Sequence, residues 1–358
     1  MSIPESFVLS GGDLMPRIGF GTWQMRELEV LDWAEVARDR ESSRDLLSEA
    51  RAHFELMASS DVLEPAVAAA LEAGYRHFDS ARVYENEAAL GRALNRWIGN
   101  DPNKRKELFV VTKLPPGGNR PDLVAEYFNA SMHDLGLDYL DLYLLHTPFA
   151  FEHVPGDLHP MNPDGTIRAD LTTDLIGVWK AILKLKDSGR VRHVGVSNVN
   201  EEQLQRLCAV EKPACLQVEV HMLCQQKALI AAANKLGIPV VAYSPLGSKA
   251  LADALATKTG REYPNLLQLP AVLKIAQAHN KTPAQVLLRH LLQSGVAAIP
   301  KSTHPERIKQ NISVWDFELS DEEMSELGAL DRGEQGRICD FSFFPGIEKH
   351  PEFPFKKS

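Results

Sequence analysis

The sequence has few cysteines and no long apolar run, and both absences narrow what the chain can be. Its four cysteines, Cys208, Cys215, Cys224 and Cys339, include no C-x-x-C pair, so we expect neither a disulfide framework nor a metal site. No stretch approaches the roughly 18 apolar residues of a membrane helix. Residues 1–21 also lack the basic and apolar regions of a secretory signal. We therefore expect a cytoplasmic protein that does not contact a membrane.

An excess of basic residues is missing as well. The formal net charge is −9, which argues against a nucleic acid as partner. With 44% apolar residues, the chain can bury a large core. Its 358 residues exceed the roughly 100–200 of an ordinary domain, yet an α/β barrel commonly takes about 250 as one unit. We expect one domain over residues 1–358, acting as a monomer.

Short apolar segments alternate with helix-like segments along most of the chain. Because eight buried strands, each followed by a helix, favour a closed parallel sheet, the pattern predicts an α/β fold of the (β/α)8 TIM-barrel type. Alternation around Gly11-Gly12-Asp13 predicts an N-terminal β-hairpin before the barrel. The predicted barrel strands are residues 18–22, 75–78, 108–112, 139–145, 191–196, 215–218, 239–243 and 297–299.

A charged segment over residues 27–61 interrupts the connection after the first strand. Leu47, Ala50, Phe54 and Met57 recur at helical spacing in it, which predicts a helical insertion of one or two amphipathic helices. The insertion is either a solvent-exposed addition without a further role, or it forms part of the rim of the barrel or a surface that binds a partner.

Polar side chains stand at the predicted carboxyl ends of the strands, where barrels of this kind build their active sites. Gly19-Phe20-Gly21 lacks the third glycine of the usual dinucleotide fingerprint, so a nicotinamide cofactor would be held differently. The strand-end residues are Thr22, Trp23, Asp79, Lys113, His146, Ser197, Asn198, Gln217, Glu219, Tyr243, Ser244, Lys301 and Ser302.

Four of the residues at this end suit the reduction of a carbonyl group. A phenol titrates near pH 10, and an ammonium at Lys113 would favour the phenolate of Tyr84, making it a better proton donor. Asp79 would keep Lys113 charged and oriented. His146 can donate a hydrogen bond to the carbonyl oxygen, where negative charge develops. Hydride must come from a cofactor, because no side chain supplies it.

The last strand leads into a predicted anion site. Pro305 is placed like a first helical residue, so Ser302 lies at a helix N-terminus with Lys301 and Arg307 nearby. Two cations with free backbone N–H groups suit a phosphomonoester, such as the one that distinguishes NADPH from NADH. Tyr243 offers a flat face on which a nicotinamide ring could stack.

These motifs together resemble the aldo-keto reductase superfamily, and most closely its aldose/aldehyde reductase group, over residues 7–26 and 62–358. The resemblance is carried by Gly74-Tyr75-Arg76-His77-Phe78-Asp79-Ser80-Ala81, Val83-Tyr84-Glu85-Asn86-Glu87, Val111-Thr112-Lys113-Leu114, Gly195-Val196-Ser197-Asn198, Leu216-Gln217-Val218-Glu219 and Ala242-Tyr243-Ser244-Pro245-Leu246-Gly247-Ser248, together with Gly19-Phe20-Gly21-Thr22-Trp23 and residues 299–311.

The resemblance implies NADPH-dependent reduction of small aldehydes and ketones, with Tyr84 as proton donor, Asp79 and Lys113 tuning it, and His146 orienting the carbonyl. It implies a substrate site formed by Trp23, Tyr84, His146, Phe341 and Phe343, the last two in a specificity tail over residues 332–358. The residues implied to hold NADPH/NADP+ are Thr22, Ser197, Asn198, Gln217, Tyr243, Ser244, Leu246, Ser248, Lys301, Ser302, Arg307, Gln310 and Asn311.

The sequence departs from this group at two places near the expected site. Thr147 stands where a Trp usually follows the catalytic His, which reduces the aromatic wall of the substrate pocket. The expected loop behind Ser248 lacks the usual acid close to that serine.

Two other functions suit parts of the same pattern. Lys113 could form a Schiff base in an aldolase, although this leaves Tyr84 and Arg307 without roles. The chain could also be a nicotinamide-binding subunit that senses redox state or regulates a partner. In a reductase, the insertion over residues 27–61 would overhang the mouth that leads to Tyr84.

Overall fold

The computed structural model describes residues 3–23 and 60–355. The predicted helical insertion therefore lies outside the described residues, except for residues 60–61, which begin helix α1 at Ser60–Glu72. Within the described ranges, no helix is both long enough and apolar enough to cross a membrane.

The predicted N-terminal hairpin is present. Strands β1 (Ser6–Val8) and β2 (Leu14–Pro16) pair antiparallel, with Val8 opposite Leu14. Leu9 and Met15 are buried in one cluster with side chains of the barrel interior, among them Phe109 and Val111. The hairpin therefore covers the end of the barrel where the strands begin.

Eight parallel strands follow in the described part of the chain, and each pairs with its neighbours in sequence order. Both faces of these strands are buried, which explains why their sequences are largely continuous apolar segments. The strands are β3 (Phe20–Gly21), β4 (His77–Asp79), β5 (Phe109–Leu114), β6 (Leu140–Leu145), β7 (Val191–Ser197), β8 (Leu216–Glu219), β9 (Val240–Tyr243) and β10 (Val296–Ala298).

The sheet closes on itself between its last and first strands. Ala298 of β10 forms a parallel bridge with Ile18, just before β3. The Gly19 N–H donates to the Ala298 carbonyl at 2.9 Å, and the Ala298 N–H donates to the Arg17 carbonyl at 2.8 Å. These bonds leave no open edge at this seam, as the predicted (β/α)8 barrel requires.

Helices surround the barrel and bury its outer face. Trp179, for example, is fully buried in the main apolar cluster between helices and strands. After α1 the helices are α2 (Glu87–Ile98), α3 (Pro102–Glu107), α4 (Val124–Leu135), α5 (Leu175–Asp187), α6 (Glu201–Cys208), α7 (Lys227–Lys235), α8 (Lys249–Thr259), α9 (Pro270–Ala278), α10 (Pro283–Gln293), α11 (Pro305–Ile312) and α12 (Asp321–Gly328).

Several details differ from the sequence-based expectation. Residues 249–253, expected as a loop behind Ser248, instead begin helix α8, because alanine and leucine dominate the sequence of that helix. Helices α3, α9, α10 and α12 were not predicted, although Thr282 and Gln285 form a capping box at the start of α10. Asp79 was expected just outside the sheet but is the last residue of β4.

Helices α2 and α4 meet so closely at Gly91 that a side chain there has no space. A Cβ atom on Gly91 would overlap the carbonyl oxygen of Leu135, the last residue of α4. We predict that Gly91→Ala lowers the free energy of unfolding by about 1–3 kcal/mol through overpacking, although alanine favours a helix over glycine by about 1 kcal/mol.

Urea denaturation measures this change. Gly328→Ala is the matched control, because a Cβ there would meet only the Lys227 amino group, at 4.0 Å. We expect the control to be neutral or stabilising. A stabilised Gly91→Ala protein would contradict the tight crossing of α2 and α4.

Candidate active site

A cavity of about 630 Å³ opens at the carboxyl ends of the barrel strands, within the size range of ligand sites. Most of the residues that the sequence predicts for the site line it, including residues from β4, β8, β9 and the tail. These lining residues are Thr22, Trp23, Asp79, Tyr84, His146, Asn198, Gln217, Tyr243, Ser244, Leu246, Ser248, Lys301, Ser302, Arg307, Asn311, Phe341 and Phe343.

Three predicted site residues lie outside the cavity wall. Lys113 is fully buried beneath Tyr84, and Ser197 is buried, its Oγ accepting a hydrogen bond from the Asn198 side chain at 3.1 Å. Gln310 is exposed on α11.

Asp79 and Lys113 form a buried ion pair at the base of the cavity. The Lys113 Nζ lies 2.5 Å from the Asp79 Oδ1 and also donates to the Ser80 carbonyl at 2.6 Å. The second carboxylate oxygen of Asp79 accepts a hydrogen bond from the Gln217 Nε2 at 2.7 Å. Because every charge in this group has a partner, the pair is fixed in one arrangement although it is shielded from water.

Tyr84 lies over this ion pair. Its hydroxyl oxygen is 3.5 Å from the Lys113 Nζ, which also lies 5.0 Å from the centre of the phenol ring. The short 3₁₀ helix Arg82–Tyr84, directly after β4, carries the side chain. The predicted approach of Asp79, Tyr84 and Lys113 is therefore present in the structure.

The pKa values in this group differ from the simple expectation that Lys113 favours the phenolate. Burial raises the pKa of Tyr84 well above its ordinary value, and the negative charge of Asp79 raises it further. Burial lowers the pKa of Lys113, while the charge and hydrogen bond of Asp79 oppose that change. Burial therefore dominates, and Tyr84 keeps its proton at neutral pH.

His146 follows β6 and faces the same phenol. The centres of the two rings are 5.8 Å apart, edge to face. Burial and the charge of Lys113 hold the pKa of His146 well below its usual range, so the imidazole is neutral. Among the described residues no group hydrogen-bonds its Nδ1. The Asn198 side chain fixes the backbone of His146 by donating to its carbonyl at 2.9 Å.

Aromatic side chains form one wall of the cavity. The ring of Trp23 lies 6.4 Å from that of Tyr84, and Phe341 packs edge to face on Phe149 at 4.9 Å. Thr147 lines the cavity and donates from its hydroxyl to the Phe149 carbonyl at 2.9 Å. The tail thus supplies the apolar surface that Thr147 does not.

The other part of the cavity carries cations. Lys301 and Arg307 line it together with the buried Ser302 and Asn311. Among the residues that the structure describes, no carboxylate forms an ion pair with Lys301 or Arg307. Pro305 begins α11 as predicted. Two cations beside a helix N-terminus suit an anion such as a phosphate.

The sequence did not assign a role to several lining residues. His159, from the long connection after β6, stacks on Phe344 with ring centres 5.6 Å apart. Cys339 of the tail and Thr282 of the cap before α10 also line the cavity. Apolar residues do not recur at a regular spacing in this connection or in the tail, so the sequence does not predict where these side chains lie.

Comparison with known proteins agrees with this geometry. The profile of the Aldo/keto reductase family matches residues 17–332. Aldo-keto reductase family 1 member A1 of Gallus gallus is 39% identical over 364 residues, covering 99% of both chains. The Danio rerio protein, family 1 member A1-A, is 38% identical over 358 residues, covering 98% of both.

Solved structures show the same fold. The aldose reductase of Schistosoma japonicum matches with a TM-score of 0.80 at 35% identity, covering 99% of this chain and 100% of that one. An aldo-keto reductase of Bombyx mori, in complex with NADP, matches with a TM-score of 0.76 at 31% identity and the same coverage. The chain therefore belongs to the aldo/keto reductase family.

Proposed function

We propose that this protein reduces aldehydes and ketones to alcohols with NADPH, and that Tyr84 donates the proton. The observation that carries the proposal is the position of Tyr84 on the cavity wall: its hydroxyl oxygen lies 3.5 Å from the buried Lys113 Nζ, and its ring packs edge to face with the neutral His146 ring. As an aldo/keto reductase, the chain is an NADP-dependent oxidoreductase.

The residues of the cavity fit the cofactor. Lys301 and Arg307 present positive charge without a carboxylate partner among the described residues, beside the Ser302 hydroxyl, as the 2′-phosphate of NADPH requires. Asn198, Gln217 and Tyr243 would hold the nicotinamide end. The cofactor, when bound, supplies the hydride that no side chain can supply.

Tyr84 would give its proton to the carbonyl oxygen of the substrate as that oxygen gains negative charge. The phenolate that remains is stabilised by Lys113, whose Nζ already lies 3.5 Å from the phenol oxygen. Asp79 and the Ser80 carbonyl keep this ammonium in place. Asp79 and Lys113 therefore tune the proton donor without contacting the substrate.

His146 would orient the carbonyl group. A neutral imidazole carries one N–H donor and does not compete with Tyr84 for the role of acid. The centres of the imidazole and phenol rings are 5.8 Å apart, so the carbonyl oxygen of a substrate would reach both side chains. Trp23, Phe341 and Phe343 would bury the remainder of a small aldehyde or ketone.

The domain organisation that we infer is a single barrel with a specificity tail over residues 332–358. Phe341, Phe343 and Phe344 line the cavity from this tail. The geometry argues against an aldolase that uses Lys113, because its amino group is fully buried, is absent from the cavity wall and forms three hydrogen bonds.

Replacing Tyr84 by Phe removes the proposed proton donor while keeping the ring. We predict that Tyr84→Phe lowers kcat for an aromatic aldehyde by at least about 100-fold, the usual scale of general acid catalysis. NADPH binding, measured by quenching of protein fluorescence, stays within about twofold of the wild type. Tyr139→Phe is the matched control, because the Tyr139 hydroxyl is buried without a hydrogen-bond partner among the described residues. Substantial turnover by Tyr84→Phe would disprove the assigned role.

Arg307 tests the phosphate site. In the proposed complex, the only group of the cofactor to which Arg307 donates a charge-assisted hydrogen bond is the 2′-phosphate, which NADH lacks. We therefore predict that Arg307→Ala weakens NADPH binding about 10- to 100-fold and changes NADH binding little. Lys309→Ala, on the same helix but outside the cavity wall, is the control for a general loss of positive charge. Equal losses of NADPH and NADH would rule out the 2′-phosphate contact.

The pKa directions predict the pH dependence. Tyr84 loses its proton only above its raised pKa, and His146 gains one only below its lowered pKa. We therefore expect kcat for reduction to be flat between about pH 6 and 9. A steady-state pH profile tests this, and a fall centred near pH 7 would show that one of these groups titrates in the neutral range.

A further inference from the structure

Glu219 is a buried acid that the proposed reaction does not use. It is the last residue of β8, its side chain is fully buried, and it is absent from the cavity wall. A buried carboxylate is costly unless it is paired, so its partners indicate why it is there.

Three of its four partners belong to the tail, and the fourth is His221. One carboxylate oxygen of Glu219 accepts hydrogen bonds from the Ile338 N–H at 2.8 Å and the His221 Nε2 at 2.9 Å. The other accepts from the Cys339 N–H at 2.9 Å and lies 3.8 Å from the Arg337 guanidinium. The side chain therefore binds two consecutive backbone N–H groups about 120 residues further along the chain.

His221 keeps the carboxylate in this orientation. Its Nδ1 accepts a hydrogen bond from the Leu223 N–H at 3.3 Å, so its Nε2 carries the proton that is donated to Glu219. Burial would raise the pKa of Glu219, but His221, Arg337 and the Ile338 N–H together lower it. Glu219 is therefore an anion that accepts from every donor around it.

The segment that Glu219 binds leads directly into the aromatic wall. Cys339, Phe341, Phe343 and Phe344 line the cavity. Phe341 adopts a positive φ of 61°, a conformation that a bulky residue holds only when its surroundings fix it.

The tail is also held just before this segment. A Cβ atom on Gly336 would overlap the carbonyl oxygen of Leu223, so the two backbones touch. The Arg337 guanidinium lies 4.0 Å from the ring of Phe355 and pairs with Glu334 at 2.6 Å. The N–H groups bound by Glu219 thus lie between this close contact and the aromatic wall.

We propose that Glu219 is a positioning residue for substrate specificity. By accepting hydrogen bonds from the N–H groups of Ile338 and Cys339, it holds the aromatic wall in the position in which the wall packs on bulky apolar carbonyl substrates. It acts through the tail and contacts neither substrate nor cofactor. The inference rests on the proposed reductase function, because it concerns the substrate range of that site.

Glu219→Gln tests the proposal with little change in size. The two tail N–H groups bind different carboxylate oxygens; in the amide one of those oxygens is replaced by an NH₂ group, which faces an N–H donor and cannot accept from it. With a bulky aromatic aldehyde such as 2-naphthaldehyde, we expect KM to rise about tenfold, since small misplacements of positioning groups have effects of this order or larger. With propanal, which is too small to need the wall, KM and kcat stay within about twofold, as does the Kd of NADPH.

Glu334→Gln is the matched control. It removes a carboxylate that pairs with the same Arg337 but does not contact the tail N–H groups, and we expect both aldehydes to behave as in the wild type. Hydrogen exchange without substrate provides a readout independent of turnover: amides of residues 336–345 should exchange faster in Glu219→Gln and at the wild-type rate in Glu334→Gln.

Gly336→Ala is a second variant that leaves Glu219 intact. It displaces the tail from Leu223, so the same rise in KM for 2-naphthaldehyde alone is expected, with thermal melting used to confirm that each variant is folded. Equal losses with both aldehydes, or an unchanged KM ratio in folded Glu219→Gln, would overturn the positioning role. If the wild type reduces neither aldehyde with NADPH, the proposed function fails and this role fails with it; if it reduces both and the KM split is absent, only the role of Glu219 fails.

Discussion

The candidate active site depends on the buried ion pair between Asp79 and Lys113. Moving two charges out of water carries a large desolvation cost, which their attraction offsets only when the geometry is good and the remaining polar atoms are paired. Here Gln217 and the Ser80 carbonyl provide those further hydrogen bonds. The pair also joins side chains from β4, β5 and β8, so its arrangement depends on closure of the whole barrel.

The same closure explains how much of the site could be predicted from the sequence. In a parallel barrel every strand ends on one face, so polar residues at strand ends must come together there. Asp79, Lys113, His146 and Gln217 could therefore be assigned to one place without any knowledge of contacts. The position of Lys301 and Arg307 near the start of α11 could be predicted from Pro305, because helix starts have a local sequence signature.

What could not be predicted depends on burial or on irregular segments. The pKa of Tyr84 is raised mainly because burial disfavours the charged phenolate, whereas sequence reasoning considered only the charge of Lys113. The contact of Glu219 with Ile338 and Cys339 joins a strand end to a tail that has no periodic pattern. Helix α8 was missed because the resemblance to the reductase group implied a loop behind Ser248, although the composition of the segment favours a helix.

Fourteen phenylalanines occur in the sequence, and half of them belong to the cluster around the tail: Phe149, Phe151, Phe341, Phe343, Phe344, Phe353 and Phe355. The buried side chains of this cluster belong neither to the cluster between sheet and helices nor to the one inside the barrel, although Tyr243 packs against both the tail cluster and the barrel interior. Substitutions in it can therefore change the shape of the cavity without creating voids in the apolar clusters that hold the barrel together. Because the tail cluster and the barrel clusters consist of different buried side chains, substitutions in the tail cluster can change substrate preference with little effect on folding of the barrel.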